Sequence, residues 1–433
     1  MAPHVRTAVL AHGLGGSTDL PIPYTYALLG AAWTLTFTFA VVAFAWRRPR
    51  FDPDKPGRAL PGWVQETVDS PVTRWAVRLI ALGFAGWVTI ASSIGPQDAK
   101  NPLPGVFYVL LWVGLVALSL AFGPVWRVFS PVRTVYRVVC LAVRRRPWHY
   151  PERLGYWPAA AGLFAFVWLE LASPDPASLA AIRYWLLAYV AVTFVGAMCC
   201  GEPWLSRADP FDVYSMVASR LSPLRRHDGQ IVIGNPFNHL PTLPVRSGVV
   251  ATLAVLLGST AFDSFSAMPQ WRNFVDAHSG SPATASLIRT AGLLVFATTV
   301  ALTFSAAARA TGGVDRQRRR ELPGLMAHSL IPIVIGYVFA HYLSYLVERG
   351  QQTVILLLGL DNVSVNYILS LHPSVLASLK VGCVLAGHVA GVIAAHDRAL
   401  QLLPKRHQLT GQLSMMLVMV GYTFTGLYLL FGG

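Results

Sequence analysis

The amino-acid sequence predicts an all-α fold, a polytopic transmembrane helical bundle of about ten spans with both termini outside, and residues 1–433 read as a single integral membrane domain. Three observations predict it. Composition is 54% hydrophobic and only 12% charged, with a mean hydropathy of +0.50, far more apolar than a soluble chain of this length. Apolar runs near 20 residues recur from end to end, and about 20 residues at ~1.5 Å rise cross the hydrocarbon of a bilayer. Lys and Arg also alternate between connections: 26 of the 34 lie in five alternate loops and four in the opposite ones, as retention of basic loops on the cytoplasmic side requires. The lipid bilayer is therefore the first partner, with the bacterial plasma membrane as the expected location. The same tally accounts for the net charge of +14. Arg144, Arg145 and Arg146, like Arg318, Arg319 and Arg320, belong beside anionic headgroups, and no nucleic-acid partner is expected.

The expected spans run over about 24–46, 75–94, 103–122, 156–173, 179–198, 247–262, 286–308, 326–347, 373–395 and 408–431. The basic connections are 47–74, 123–155, 199–246, 309–325 and 396–407. Ahead of span 1, HVRTAVLAHGLGGSTDLPIP has too short an apolar run, Ala8 to Ala11, for a secretory signal. His12 then reads as a loop histidine; cleavage after Ala11 would instead leave it as an N-terminal copper chelator.

Spans 2 to 5 contain an internal repeat. GPVWRVFSPVRTVYRVV follows span 3 and GEPWLSRADPFDVYSMVASRL follows span 5, aligning Gly123, Trp126, Pro131 and Tyr136 with Gly201, Trp204, Pro210 and Tyr214. Each hairpin is expected to end in a short helix at the headgroup boundary, where Trp and Tyr satisfy both an apolar body and a polar edge. Glu202, Asp209 and Asp212 read as solvated charges there, with pairing to Arg207 and Arg220 as the alternative. Farther along 199–246, the Asp228-Gly229 turn predicts a small hairpin, followed by an Asn-Pro turn. The cysteines Cys140, Cys199, Cys200 and Cys383 show no C-x-x-C spacing, so neither a disulfide framework nor a cysteine metal site is indicated.

Titratable residues concentrate in spans 8 and 9, which carry His328 and His341, and Lys380, His388 and His396. Ionisable groups at membrane depth face protein or a watery cavity and mark functional sites. By helical rise, Lys380 and His341 lie ~9–10 Å below the outer surface. Glu170 at the end of span 4, Asp263 at the end of span 6 and Arg183 at the start of span 5 lie near that depth. His341, Lys380, Asp263 and Glu170 are thus the candidate catalytic set, in a polar cavity between spans 8 and 9. His328, His388 and His396 form an inner layer that could hold a divalent transition metal. Against it, His388 and His396 are eight apart rather than three or four, and histidines hydrogen-bonded between packed helices fit as well. Gly387, Gly391 and Ala395 on one stripe, and Ala386, Ala390 and Ala394 on the next, predict that span 9 is buried and closely approached.

The segments HGLGGSTDLPIP, LLGSTAFD, SLIPIVIGYVFAHYLSYLV and GHVAGVIAAHDRAL together resemble a family of actinobacterial multi-pass membrane proteins labelled fenitrothion hydrolase, over most of the chain from span 1 to span 10. The resemblance implies cleavage of a phosphotriester bond in an organophosphate, with metal help; the residues matching the family segments are His12, Asp263, His341, His388, His396 and Asp397. Such chemistry needs a metal or strong base to generate hydroxide and a cation to receive phosphoryl charge. The chain has no G-x-S-x-G elbow, H-E-x-x-H helix or P-loop. Three expectations follow: a membrane-embedded hydrolase acting on a small-molecule substrate, a proton-coupled small-molecule transporter using His341, Lys380 and Glu170, and a structural or haem-binding subunit of a membrane complex.

Overall fold

The computed structural model describes residues 19–143, 147–311, 313–360, 362–408 and 410–431. His12 and Arg144, Arg145 and Arg146 lie outside them. Among the described residues, nine helices are long and apolar enough to cross a membrane: Tyr24–Ala45, Pro71–Ile94, Leu103–Phe122, Leu179–Cys200, Val249–Ser266, Pro282–Arg309, Arg316–Leu358, Pro373–Leu402 and Thr410–Phe431. The expected fourth span is an apolar helix of only 15 residues, Trp157–Leu171, about 22 Å long. The architecture is an all-α polytopic bundle. Large side chains such as Trp33, Phe37, Tyr184 and Leu302 are turned outward and exposed, an arrangement that lipid rather than water accommodates.

Many of these helices open with proline in the first turn, as at Pro71, Pro131, Pro210, Pro282 and Pro373, where the missing N–H costs no hydrogen bond. Side-chain caps add to this at Ser130, Ser178, Asp209, Ser281 and Asp315. The predicted hairpin forms β2 (Leu224–His227) and β3 (Gln230–Ile233), joined through Asp228 and Gly229, both at positive φ. A two-residue strand, β1 (Arg58–Ala59), comes from the first basic loop and pairs antiparallel with β3. Asn235 caps a short helix, Pro236–His239, where a turn was expected.

The repeat is visible in three dimensions. Span 3 ends at Gly123 (φ 87°) and span 5 at Gly201 (φ 72°), and in both the backbone then enters a short helix, a capping residue and a proline-led second helix. The helix Pro131–Ala142 packs on span 2 of its own hairpin and span 5 of the other; Pro210–Ala218 packs on span 4 of its own and span 3 of the other. The third residues of the two second helices, Arg133 and Asp212, meet in an ion pair at 2.8 Å. The expectation of two headgroup-level helices fails for the second one, since every residue of Pro210–Ala218 is buried. Asp212 takes Arg133, Glu202 takes Arg133 and Arg137, and Asp209 accepts from the Trp126 indole and Tyr189 hydroxyl, each at 3.0 Å. Arg207 pairs instead with Glu152, and Arg220 with His239 and Thr242. Burial of Asp209, and next the charge of Asp212, pushes its carboxyl up to about 7.

Spans 8 and 9 form the most extensive helix pair in the bundle. A Cβ on Gly387 would stand 2.5 Å from the Pro332 carbonyl oxygen, and one on Gly336 2.5 Å from the Cys383 carbonyl. The helices therefore touch backbone to backbone, as the small-residue stripe predicts. His341 and Lys380 are each only 1% exposed.

Two measurements of thermal unfolding in detergent check these assignments. Gly387→Ala should destabilise by ~1–3 kcal/mol, because backbone must shift to admit the methyl, whereas Gly421→Ala, with open space around it, should be neutral or stabilising. For Asp209 the protonated form is favoured on folding, so its stabilising contribution is full below the usual carboxylate range and lost as pH rises through about 7. Asp209→Asn should flatten the fall in stability across that window.

Candidate functional site

A cluster of buried ionisable and hydroxyl groups joins span 6 to span 8. Asp263 and Ser264 occupy the last turn of the apolar helix Val249–Ser266. Tyr337, His341 and Tyr342 stand at i, i+4 and i+5 on span 8 and turn toward them. One carboxylate oxygen, Asp263 Oδ2, accepts from the Tyr342 hydroxyl at 2.7 Å and lies 2.9 Å from His341 Nε2. The other ring nitrogen, Nδ1, is 3.0 Å from Ser264 Oγ, which is 3.1 Å from the Tyr337 hydroxyl. With the Nε2 proton directed at the carboxylate, Nδ1 accepts from Ser264, and the single Tyr337 proton goes either to Ser264 or to the backbone of span 10. Tyr337 also reaches the Gly426 carbonyl on span 10 at 3.4 Å, so the chain of bonds touches three spans.

A second carboxylate belongs to this neighbourhood. Glu170 and Asp263 act electrostatically on each other, and Glu170 also acts on Tyr108, Tyr214, Tyr342 and Tyr345. The backbone beside it is unusual: span 8 widens into a π-helix over Tyr345–Arg349, directly after the Asp263-binding turn, and span 3 does so over Val106–Gly114. The two π segments pack on one another. Such segments displace side chains from the regular helical register and are frequent at functional sites.

Of the expected outer set, His341, Asp263 and Glu170 thus come together, while Lys380 faces elsewhere. Asp19, just ahead of span 1, is the charge that acts on Lys380, and span 9 packs there on span 1. Arg183 donates to the Ser92 carbonyl and to Gln97, at the end of span 2. Four participants were missed in the sequence: Ser264, Tyr337, Tyr342 and Tyr345. The available signal was helical spacing, since Tyr337 and His341 are four apart on a face that must meet protein.

The inner histidines do not converge. Among the described residues, no three His, Cys, Asp or Glu side chains are placed to hold a metal ion. His328 hydrogen-bonds the Leu325 backbone, and His388 Nδ1 the Val384 carbonyl at 2.9 Å. His396 is held at both nitrogens, by Gln412 Oε1 at 2.8 Å and the Trp46 carbonyl at 2.9 Å. It ties span 9 to span 10 and to the end of span 1. Asp397, beside it, accepts from the backbone N–H of Arg50 at 2.6 Å and pins the first basic loop.

Purified protein should accordingly carry no stoichiometric zinc or iron, and His388→Ala should leave its metal content unchanged by elemental analysis. His396→Ala should cost ~1–3 kcal/mol in thermal stability, as buried partners lose their hydrogen bonds. Comparison with known protein families, curated proteins and solved structures finds no match to this chain.

Proposed function

We propose that the protein is a proton-coupled transporter of small molecules in the bacterial plasma membrane, with Asp263 and His341 as its proton-carrying pair. The observation that carries this reading is the buried bond between the Asp263 carboxylate and the His341 imidazole, 2.9 Å long and bridging two spans. A carboxylate and an imidazole held inside a membrane bundle are costly unless they exchange charge with each other, and such groups line the proton relays of pumps and transporters. A proton arriving on Asp263 removes the negative charge that holds His341 and Tyr342. That weakens the tie between spans 6 and 8 and gives the proton a differential effect on two arrangements of the bundle. Glu170 supplies a second carboxylate to receive it, and Tyr337 and Ser264 extend the hydrogen-bonded path toward span 10.

A second reading, the hydrolysis implied by the family resemblance, is favoured by the same bonds. Asp263, His341 and Ser264 connect a carboxylate, an imidazole and a hydroxyl in the order that nucleophilic hydrolysis uses. Ser264 is completely buried, with Tyr337 against its hydroxyl, and that favours transport.

One pair of assays separates the two. Sealed vesicles containing the protein, offered a panel of small organic solutes under an imposed pH gradient, should accumulate at least one of them. That uptake should collapse with a protonophore and fall to background in Asp263→Asn and His341→Gln. Detergent-solubilised protein should neither react with a fluorophosphonate at Ser264 nor hydrolyse a nitrophenyl phosphotriester. Labelling of Ser264 with turnover that drops ~10²–10⁴-fold in His341→Gln would establish the hydrolase instead.

A further inference from the structure

At the basic face, where span 8 begins, a small cavity lies between spans 1, 8, 9 and 10. Its volume is about 10 Å³, roughly the room one water-sized sphere occupies. Met326, Met415, Met416 and Met419 line it, together with His396 and Gln412. These are four of the eight methionines in the chain, so half of its methionines line a single cavity. Three of them come from span 10, where Met419 neighbours Met415 four residues away and Met416 three residues away. Met326 reaches the void from the opposite wall, at the end of the helix Arg316–Met326. Met326, Met415 and Met419 are buried, at 5%, 3% and 1% exposure.

Methionine in a core ordinarily fills irregular gaps, because its unbranched chain adapts to them. Here four such chains surround a gap that stays open, which gap-filling does not explain. The nitrogens of His396 are committed to Gln412 and Trp46, so sulfur is the donor available to whatever occupies the void. Thioethers are soft and neutral: they select monovalent copper over zinc, magnesium or calcium. A divalent ion here would also bring two charges into an apolar site with no carboxylate in its lining, at a high desolvation cost.

We propose that the thioethers of Met326, Met415, Met416 and Met419 form a binding site for Cu(I) at the basic face, between the start of span 8 and span 10. The site is independent of the proton-transport reading, since it shares no residue with the Asp263–His341 pair.

The test is a titration of the purified full-length protein in detergent with Cu(I), in competition with the chromophoric chelator bicinchoninate. The cysteines, of which Cys140 is exposed and Cys199, Cys200 and Cys383 are partly so, are first alkylated to remove thiolate competition. Wild type should bind one equivalent, and X-ray absorption should report a sulfur-only first shell. Met326→Leu and the double change Met415→Leu with Met419→Leu conserve core volume. Each should weaken binding at least tenfold while size-exclusion and thermal profiles stay unchanged. No Cu(I) uptake by wild type, equal affinity in the leucine variants, or a nitrogen-dominated shell would each overturn the proposal; the absorption measurement decides the matter should a variant fail to fold.

Discussion

The contact on which the bundle depends is the meeting of spans 8 and 9 at Gly336, Gly387 and Gly391. In lipid there is no hydrophobic drive between helices, so association comes from close packing and from hydrogen bonds that lipid cannot offer. Backbone contact at these glycines supplies the first and sets the geometry for the second. The seam leaves no space between the two helices, and each must therefore turn its polar groups outward to a different neighbour. His341 goes to span 6 and Lys380 to the span 1 side, although both stand at a similar depth. The two helices that read in the sequence as neighbours touch backbone to backbone at these glycines, and their polar groups meet different partners.

The hairpins of spans 2 to 5 brace the other side of that partition. Their swapped packing places Arg133 and Asp212, equivalent by position in the two copies, against each other near the local axis. A contact between equivalent residues is what an axis of approximate two-fold symmetry requires, and opposite charges there make the interface favourable only between unlike copies. The second copy has departed furthest: its helix Pro210–Ala218 is wholly enclosed, and the Tyr214 ring meets Trp112 on span 3 at a tilt, with ring centroids 4.7 Å apart. Tyr214 also lies within electrostatic reach of Glu170. The repeat thereby connects directly to the cluster at Asp263.

Much of the fold was legible because its signals are local. Apolar runs, basic loops and the Gly387–Gly391–Ala395 stripe each follow from a few consecutive residues and a helical period. Asp228-Gly229 fixes its hairpin for the same reason. The burial of Asp209 and Asp212 was not legible, because carboxylates in a basic loop read as solvated and these two are held by partners, Arg133 and Trp126, some 80 residues earlier. The candidate site was half legible. The expense of placing ionisable groups in lipid singled out Glu170, Asp263 and His341, but which of them meet is decided by long-range packing. Lys380 was assigned to the same group because depth along a helix can be counted, whereas its direction around the bundle cannot. The π-helices left no mark in the sequence at all, since each arises from packing against the other.

The two candidate sites stand at opposite ends of span 8 and differ in kind. From Met326 to His341 is fifteen residues, about 22 Å along the helix axis. The far end gathers carboxylates, imidazole and hydroxyls, hard donors suited to protons; the basic end gathers thioethers, which a proton ignores and a soft cation prefers. Between them the helix is locked to span 9 by glycine contacts that tolerate neither sliding nor separation without opening voids. The pair therefore meets spans 6 and 10 as one packed unit. Span 10 contributes the Gly426 carbonyl to the far cluster and three methionines to the basic one, so it runs past both. The central seam therefore keeps the two donor sets a helix length apart, each built from its own neighbours, span 6 for the far cluster and spans 9 and 10 for the basic one.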